Sequence, residues 1–280
     1  MERWLIKSTA FLPLFSCRIL SKVSLKIHHL ARIVFLSLAI AAGWFILNLM
    51  SGGAKGDGLD LTPEDYAIGS KREIAVAIKV TSDLKETLKE KGLNWGTPVF
   101  IRAFKQERIL ELWLQNKDRK FELFRTYPIA AASGELGPKL REGDRQVPEG
   151  FYFVPPSKMN PQSDFHLSFN IGYPNRYDLA HDRTGSFIMV HGSNVSIGCL
   201  AMTDKKIEEI YTLCDAALQN GQKFFRVHLF PFRMTDREMA KHRENPWFPF
   251  WENLQTGFQW FEDKRIPPNV SVKDLTYHFQ

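Results

Sequence analysis

Pro98-Val99-Phe100-Ile101-Arg102-Ala103-Phe104, Ile109-Leu110-Glu111-Leu112-Trp113-Leu114-Gln115 and Lys120-Phe121-Glu122-Leu123-Phe124-Arg125-Thr126-Tyr127-Pro128 are three runs rich in β-branched and aromatic residues. The polar breaks Lys105-Gln106-Glu107 and Asn116-Lys117-Asp118 separate them, and that spacing predicts a β-meander. Toward the C-terminus, further strands are expected at residues 150–154, 166–171, 186–190 and 223–230. Residues 204–220 place Ile207, Ile210, Tyr211, Cys214 and Leu218 on one helical face, with Gly221 as the terminator. The tail reads as an aromatic helix near 247–261 that packs into the core, then a Pro267-Pro268 break and a short strand. The fold class expected is therefore mixed and mostly β, with flanking helices.

Before the meander, Thr62-Pro63-Glu64-Asp65 reads as a helix start, and a second helix is expected over 82–91, stopped by Gly92. Residues 51–61 form a linker that is Gly-rich at its start. Residues 33–50 contain no charge, and 18 such residues reach the lower end of what spans a bilayer of about 30 Å. Residues 1–32 carry six basic side chains and one acidic, so five of the six net positive charges of the 280-residue chain lie there. The remainder is close to neutral, which argues against nucleic acid as a partner. By the positive-inside rule the basic end stays in the cytoplasm. The expected organisation is a basic segment (1–32), a transmembrane anchor (33–50), a linker (51–61), a small helical segment (62–94) and a catalytic domain (95–280). The expected location is the inner membrane, as a single span with the domain in the periplasm, or free in the periplasm if the segment is cleaved.

Chemistry concentrates at His191-Gly192-Ser193-Asn194-Val195-Ser196-Ile197-Gly198-Cys199. A thiol becomes nucleophilic near neutral pH when an imidazole takes its proton and the pair is held as thiolate–imidazolium, with a depressed thiol pKa. Fully extended, the eight steps from His191 to Cys199 would cover about 26 Å, so the chain must turn back at Gly192-Ser193-Asn194. The amides of Gly198 and Cys199 then offer an oxyanion hole. A lone His and Cys also read as structural residues. A zinc site would need further ligands, with His228 the other candidate, and no metal is expected. Of the remaining cysteines, Cys17 falls before the anchor and Cys214 reads as a buried small hydrophobe.

The stretch Ile188-Met189-Val190-His191-Gly192 followed by Ser196-Ile197-Gly198-Cys199-Leu200-Ala201-Met202 resembles the signature of the L,D-transpeptidase (YkuD-type) catalytic domain. Leu136-Gly137-Pro138-Lys139, Gly143-Asp144 and Pro148-Glu149-Gly150-Phe151-Tyr152 agree with it. His166 through Asn175, Phe230-Pro231-Phe232-Arg233-Met234-Thr235 and Asn245-Pro246-Trp247 are similar to its YafK-like branch. The likeness covers roughly residues 95–275. It implies an L,D-transpeptidase-like β-sandwich, Cys199 as nucleophile, His191 as general acid/base, and no cofactor. It implies peptidoglycan stem peptides as substrate, attacked at a diaminopimelate carbonyl to give a thioester. A second amine (transpeptidation) or water (hydrolysis) then resolves that thioester.

Two positions depart from the wider family: Ile197 replaces a His, and Ala201 replaces an Arg. Loss of that cation weakens contact with a substrate carboxylate and leaves hydrolysis open. The YafK-like branch shares these departures, and its hydrolytic chemistry implies a covalently attached outer-membrane protein as a further partner. The competing reading is a non-catalytic peptidoglycan-binding module with a degenerate active site. A general cysteine protease finds no support. Ser196, Asn170, Tyr173 and Arg233 are candidate substrate contacts. Arg226 and Arg233 also read as solvated edge charges, and His228 as a hydrogen-bonded structural histidine. His166 and His181 have no partner evident in the sequence.

Overall fold

The computed structural model describes residues 68–280. The expected anchor, the linker and the helix start at Thr62 lie outside those residues. Three sheets and five helices make up the described part, which is a mixed α/β fold rather than a mostly β one.

The meander forms as expected: β1 (Val99–Phe104), β2 (Ile109–Gln115) and β3 (Phe121–Pro128) pair antiparallel, with a register shift at Leu112/Trp113. Two later strands join its open side, β4 (Gly150–Val154) and β9 (Phe225–Phe230). β9 runs parallel to β1 and antiparallel to β4, giving the order β3-β2-β1-β9-β4. Every residue of β1 is buried, because the sheet is covered on both faces.

The second sheet is built from very short strands: β5 (Met159–Asn160), β6 (Ser168–Asn170), β7 (Met189–His191) and β8 (Leu200–Ala201). One apolar core joins the two sheets. It runs from Ile101, Leu112 and Val227 through Phe169, Val190 and Leu200 to Ile207, Ile210 and Leu213. The last three belong to helix α3 (Asp204–Gln219), preceded by the five-residue helix α2 (Arg176–Ala180).

Helix α1 (Ile68–Glu90) is one continuous helix where the sequence suggested a start at Ser82. Val76, Val80, Leu84 and Leu88 recur every four residues across that point, and all of them pack on the same core. The side chains of Val80-Thr81-Ser82 interrupt neither the stripe nor the backbone bonds. Its end is as expected, with Gly92 at φ +68°. The helix thus packs into the core that joins the two larger sheets.

The opposite face of the large sheet carries an aromatic layer. Phe104, Phe151 and Phe230 meet Trp251, Leu254 and Phe258 of helix α5 (Phe248–Lys264) and Tyr277 of the hairpin β10 (Val270–Lys273) and β11 (Thr276–Phe279). The expected terminal strand is therefore two strands. The short helix α4 (Asp236–Lys241) was not anticipated; Thr235 caps it by accepting from the Glu238 amide.

Candidate active site

β6, β7 and β8 carry the site. β6 and β7 are antiparallel, whereas β7 and β8 are parallel, pairing Val190 with Leu200 and His191 with Ala201. The chain leaves β7 at His191, loops through residues 192–199 and returns to run alongside it. This register sets Cys199 beside Met189 rather than beside His191. The Met189 amide donates to Sγ at 3.4 Å, and Sγ donates to the Phe187 carbonyl at 3.6 Å. By the two-residue alternation of a strand, Met189 and His191 face the same side, and Cys199 precedes β8 at the level of Met189.

His191 is 3% exposed. Its Nδ1 lies 2.6 Å from the Gly192 carbonyl, a bond in which Nδ1–H donates and Nε2 is left with its lone pair. The Phe165 ring sits 4.8 Å from the imidazole. Burial pushes the His191 pKa down, partly offset by the Gly192 bond. Burial pushes the Cys199 thiol up, partly offset by the Met189 amide and the nearby Lys139 charge. The resting pair is therefore a thiol and a neutral imidazole, and the depressed thiol expected from the sequence is corrected.

The turn that leads into Cys199 is braced by hydroxyls. Gly198 has φ +86°, a conformation that a side chain resists. Its amide donates to Ser133 Oγ at 2.6 Å, and Ser133 in turn donates to the Arg145 carbonyl at 2.7 Å. The Cys199 amide donates to Ser196 Oγ at 3.0 Å, and that hydroxyl donates to the Cys199 carbonyl at 2.7 Å. Both amides expected to form a free oxyanion hole are thus occupied in the resting structure. Ser196, expected to touch substrate, instead locks the turn. Gly192 is needed for closeness: a Cβ there would meet Asp204 Oδ1 at 2.6 Å and the Phe165 carbonyl at 2.7 Å.

Loops from distant parts of the chain hold this arrangement. Lys139 Nζ bonds Asp144 Oδ1 at 2.6 Å and the Arg141 carbonyl at 2.9 Å. Gly185, two residues before Phe187, packs so tightly on Lys139 that a Cβ would lie 2.7 Å from its Cε. From the other side, Arg72 of α1 donates to the carbonyls of Ser163 and His166, fixing the loop that carries Phe165 over His191. His166, which had no evident partner, bonds Glu208 at 3.0 Å, and Lys79 of α1 pairs with the same carboxylate at 2.7 Å.

The remaining expected site residues divide. Asn170 pairs across β6–β7 with Met189, the residue whose amide bonds Cys199 Sγ, and its Oδ1 accepts from the Gly172 amide at 2.8 Å. Tyr173 is 5% exposed and donates to the Lys139 carbonyl at 3.0 Å, so it is a strut rather than a substrate contact. Arg233 is engaged elsewhere: it pairs with Glu111 at 2.6 Å and stacks on Phe104 across the aromatic layer. His181 bonds the Tyr177 carbonyl at 2.9 Å. Cys214 is fully buried, as expected. His228 is also fully buried, yet neither ring nitrogen has a partner, which corrects the expectation of a hydrogen-bonded residue. Of the two departures from the wider family, Ile197 is 74% exposed, and Ala201 is fully buried, its amide donating to the Ala131 carbonyl and its carbonyl accepting from the Ala130 and Ala131 amides. Ile197, two residues before Cys199, and Phe187, whose carbonyl accepts from Sγ, are both exposed apolar side chains. Sequence reasoning missed Ser133 and Phe187 altogether; Lys139 stood in a motif but without a role.

A domain model described as the L,D-transpeptidase catalytic domain (YkuD) matches residues 98–228. The chain is 44% identical over 182 residues to a protein described as "Putative L,D-transpeptidase YafK" from Escherichia coli (strain K12), covering 65% of this chain and 74% of that one. The same identity and coverage hold for the protein of that description from Escherichia coli O157:H7. Among solved structures, the K307A mutant of the helical cell shape determining protein Pgp2 from Campylobacter jejuni aligns at 19% identity. That alignment covers 63% of this chain and 71% of that chain, with a TM-score of 0.40.

Proposed function

The chain belongs to the L,D-transpeptidase (YkuD) family, and from that premise we propose that it is a cysteine acyl-transfer enzyme acting on peptidoglycan stem peptides. The observation that supports this reading is the parallel pairing of β7 with β8, which returns the chain so that Cys199 Sγ meets the Met189 amide two residues from His191, whose Nδ1–H is given to the Gly192 carbonyl and whose Nε2 keeps its lone pair. In the proposed reaction His191 Nε2 takes the thiol proton as Sγ attacks a diaminopimelate carbonyl carbon. The tetrahedral species collapses with breakage of the C–N bond, His191 protonates the departing amine, and a thioester to Cys199 remains. A second amine or water then attacks the thioester carbon, giving its proton to His191 as Sγ leaves. The oxyanion is stabilised by the Gly198 and Cys199 amides once the Ser133 and Ser196 hydroxyls yield them.

The buried Ala201 brings no cation to the site, which favours water over a carboxylate-bearing amine as acceptor. A stem peptide joined to an outer-membrane protein is a substrate of that hydrolytic kind. The apolar segment 33–50, after its basic flank, suits a single inner-membrane span with the domain in the periplasm. The occupied amides favour the second reading, a peptidoglycan-binding module without turnover.

One experiment separates these readings. The full chain is incubated with purified muropeptides, and the products are read by mass spectrometry beside Cys199→Ala. A new free carboxylate identifies hydrolysis, and a new amide identifies transfer. Identical profiles from both proteins would leave only the binding module.

A further inference from the structure

A second concave site lies away from Cys199, between the outer face of β4 and β9 and the hairpin β10–β11. It measures about 580 Å³, within the range of small-ligand pockets. Three cations line it, Lys158, Arg176 and Arg226, and no carboxylate does. Among the described residues none of the three has an acidic partner. Arg226 Nη2 bonds only the neutral Asn269 Oδ1, at 2.6 Å. Asp178, behind Tyr152, is fully buried and paired with Arg183 at 2.9 Å. Burial without a compensating anion lowers the pKa of both Lys158 and Arg226.

The walls are apolar and aromatic. Phe153 is 53% exposed, and Lys158 Nζ lies 6.0 Å from its ring centre; Phe224 is 37% exposed, with the Arg226 guanidinium 5.2 Å away. His228 also lines the site, 1% exposed, with both ring nitrogens unpartnered. The rings of Phe100 and Phe151, 4.6 and 4.7 Å from the imidazole, enclose it, so the charged groups the groove offers a ligand are Lys158, Arg176 and Arg226.

We propose that this groove is a second binding site, and that it takes an acidic peptide whose carboxylates meet Arg226 and Lys158 and whose hydrophobic side chain lies on Phe153 and Phe224. Charge fixes the class, since unpaired cations on apolar walls select an anion with an apolar body. The volume is that of a short peptide segment and not of a lipid bilayer surface. This site does not depend on the reading of Cys199.

The test uses the full chain in detergent and a fluorescein-labelled Glu-Phe-Glu peptide, followed by fluorescence polarisation. Saturable binding is expected, unchanged in Cys199→Ala. It should weaken at least tenfold in Arg226→Gln and at least threefold in Lys158→Gln, whose half-buried side chain leaves folding intact. The Gln-Phe-Gln counterpart should not compete. Binding unaffected by either substitution, or equal binding of the Gln peptide, overturns the proposal. So does binding confined to anionic phospholipid vesicles, which would make the groove a membrane contact. Loss of peptide binding in Cys199→Ala would also overturn it, by assigning the peptide to the catalytic site.

Discussion

The two larger sheets share one core but are held together differently. In the five-stranded sheet, strands of five to eight residues carry long ladders, and buried ion pairs pin the outer face. Arg102 bridges Glu111 at 2.8 Å and Glu262 at 2.6 Å. Lys105 and Trp251 both bond the fully buried Glu149, at 3.0 and 2.8 Å. In the four-stranded sheet, strands of two or three residues have few backbone bonds to give. Its geometry is fixed instead by serine hydroxyls, a tight glycine turn, and struts from α1 and the loop around Lys139. A scaffold made of regular pairing and a site made of side-chain braces respond to different substitutions: the first should lose stability, the second activity.

The sharpest form of that contrast is Cys199→Ala. Turnover of muropeptides should fall by a factor of about 10³ or more, because the thioester route is removed. The urea midpoint should move little, since the sulfur makes only two long contacts. A large stability loss would show that the short sheet depends on the thiol for its structure. Next comes Glu149→Ala, which strands the Lys105 charge in the interior and should cost about 3–5 kcal/mol by chemical denaturation. Retained stability there would break the assignment of Glu149 as the peg of the scaffold.

Ser196→Ala lies between the two classes. Losing the brace to the Cys199 amide and carbonyl should cost about 1 kcal/mol in stability, while steady-state turnover falls by more than that energy alone implies. A drop in stability with unchanged turnover would return Ser196 to the scaffold. The smallest effect is in pH dependence. Because His191 has a lowered pKa in the folded state, its contribution is full above its ordinary pKa of about 6.5 and is lost as pH falls through that value toward the folded one. Thermal melts of the chain and of His191→Ala from pH 7.5 to 5 should therefore differ in slope, with the native chain the steeper. Parallel slopes would contradict burial of a neutral imidazole.

The same contrast governs how much could be read from the sequence. The meander, β9 and α3 were legible within a residue or two, because each is a long apolar run with its own periodicity and its own stop signal. The turn from His191 to Cys199 was legible as a motif, and its glycines as a turn. Its partners were not. Ser133 reaches Gly198 from 65 positions away, and the Arg72 contacts to the Ser163 and His166 carbonyls span 91 and 94 positions. A two-residue strand such as β8 has no period to detect. The raised thiol was illegible for the same reason, since burial depends on which loops close over the sulfur. α1 is a different miss: the sequence suggested a start at Ser82, and the apolar stripe from Val76 to Leu88 runs straight through that position.

The central claim, an acyl-enzyme on Cys199 formed with His191 as base, is tested most directly by intact-mass measurement of the full chain mixed with a purified muropeptide and quenched in acid. The account predicts an adduct equal to the acyl fragment, located on Cys199 by peptide mapping, slow to form in His191→Ala and absent in Cys199→Ala. Muropeptide turnover by the Cys199→Ala protein, or an adduct mapped to any other residue, would contradict it.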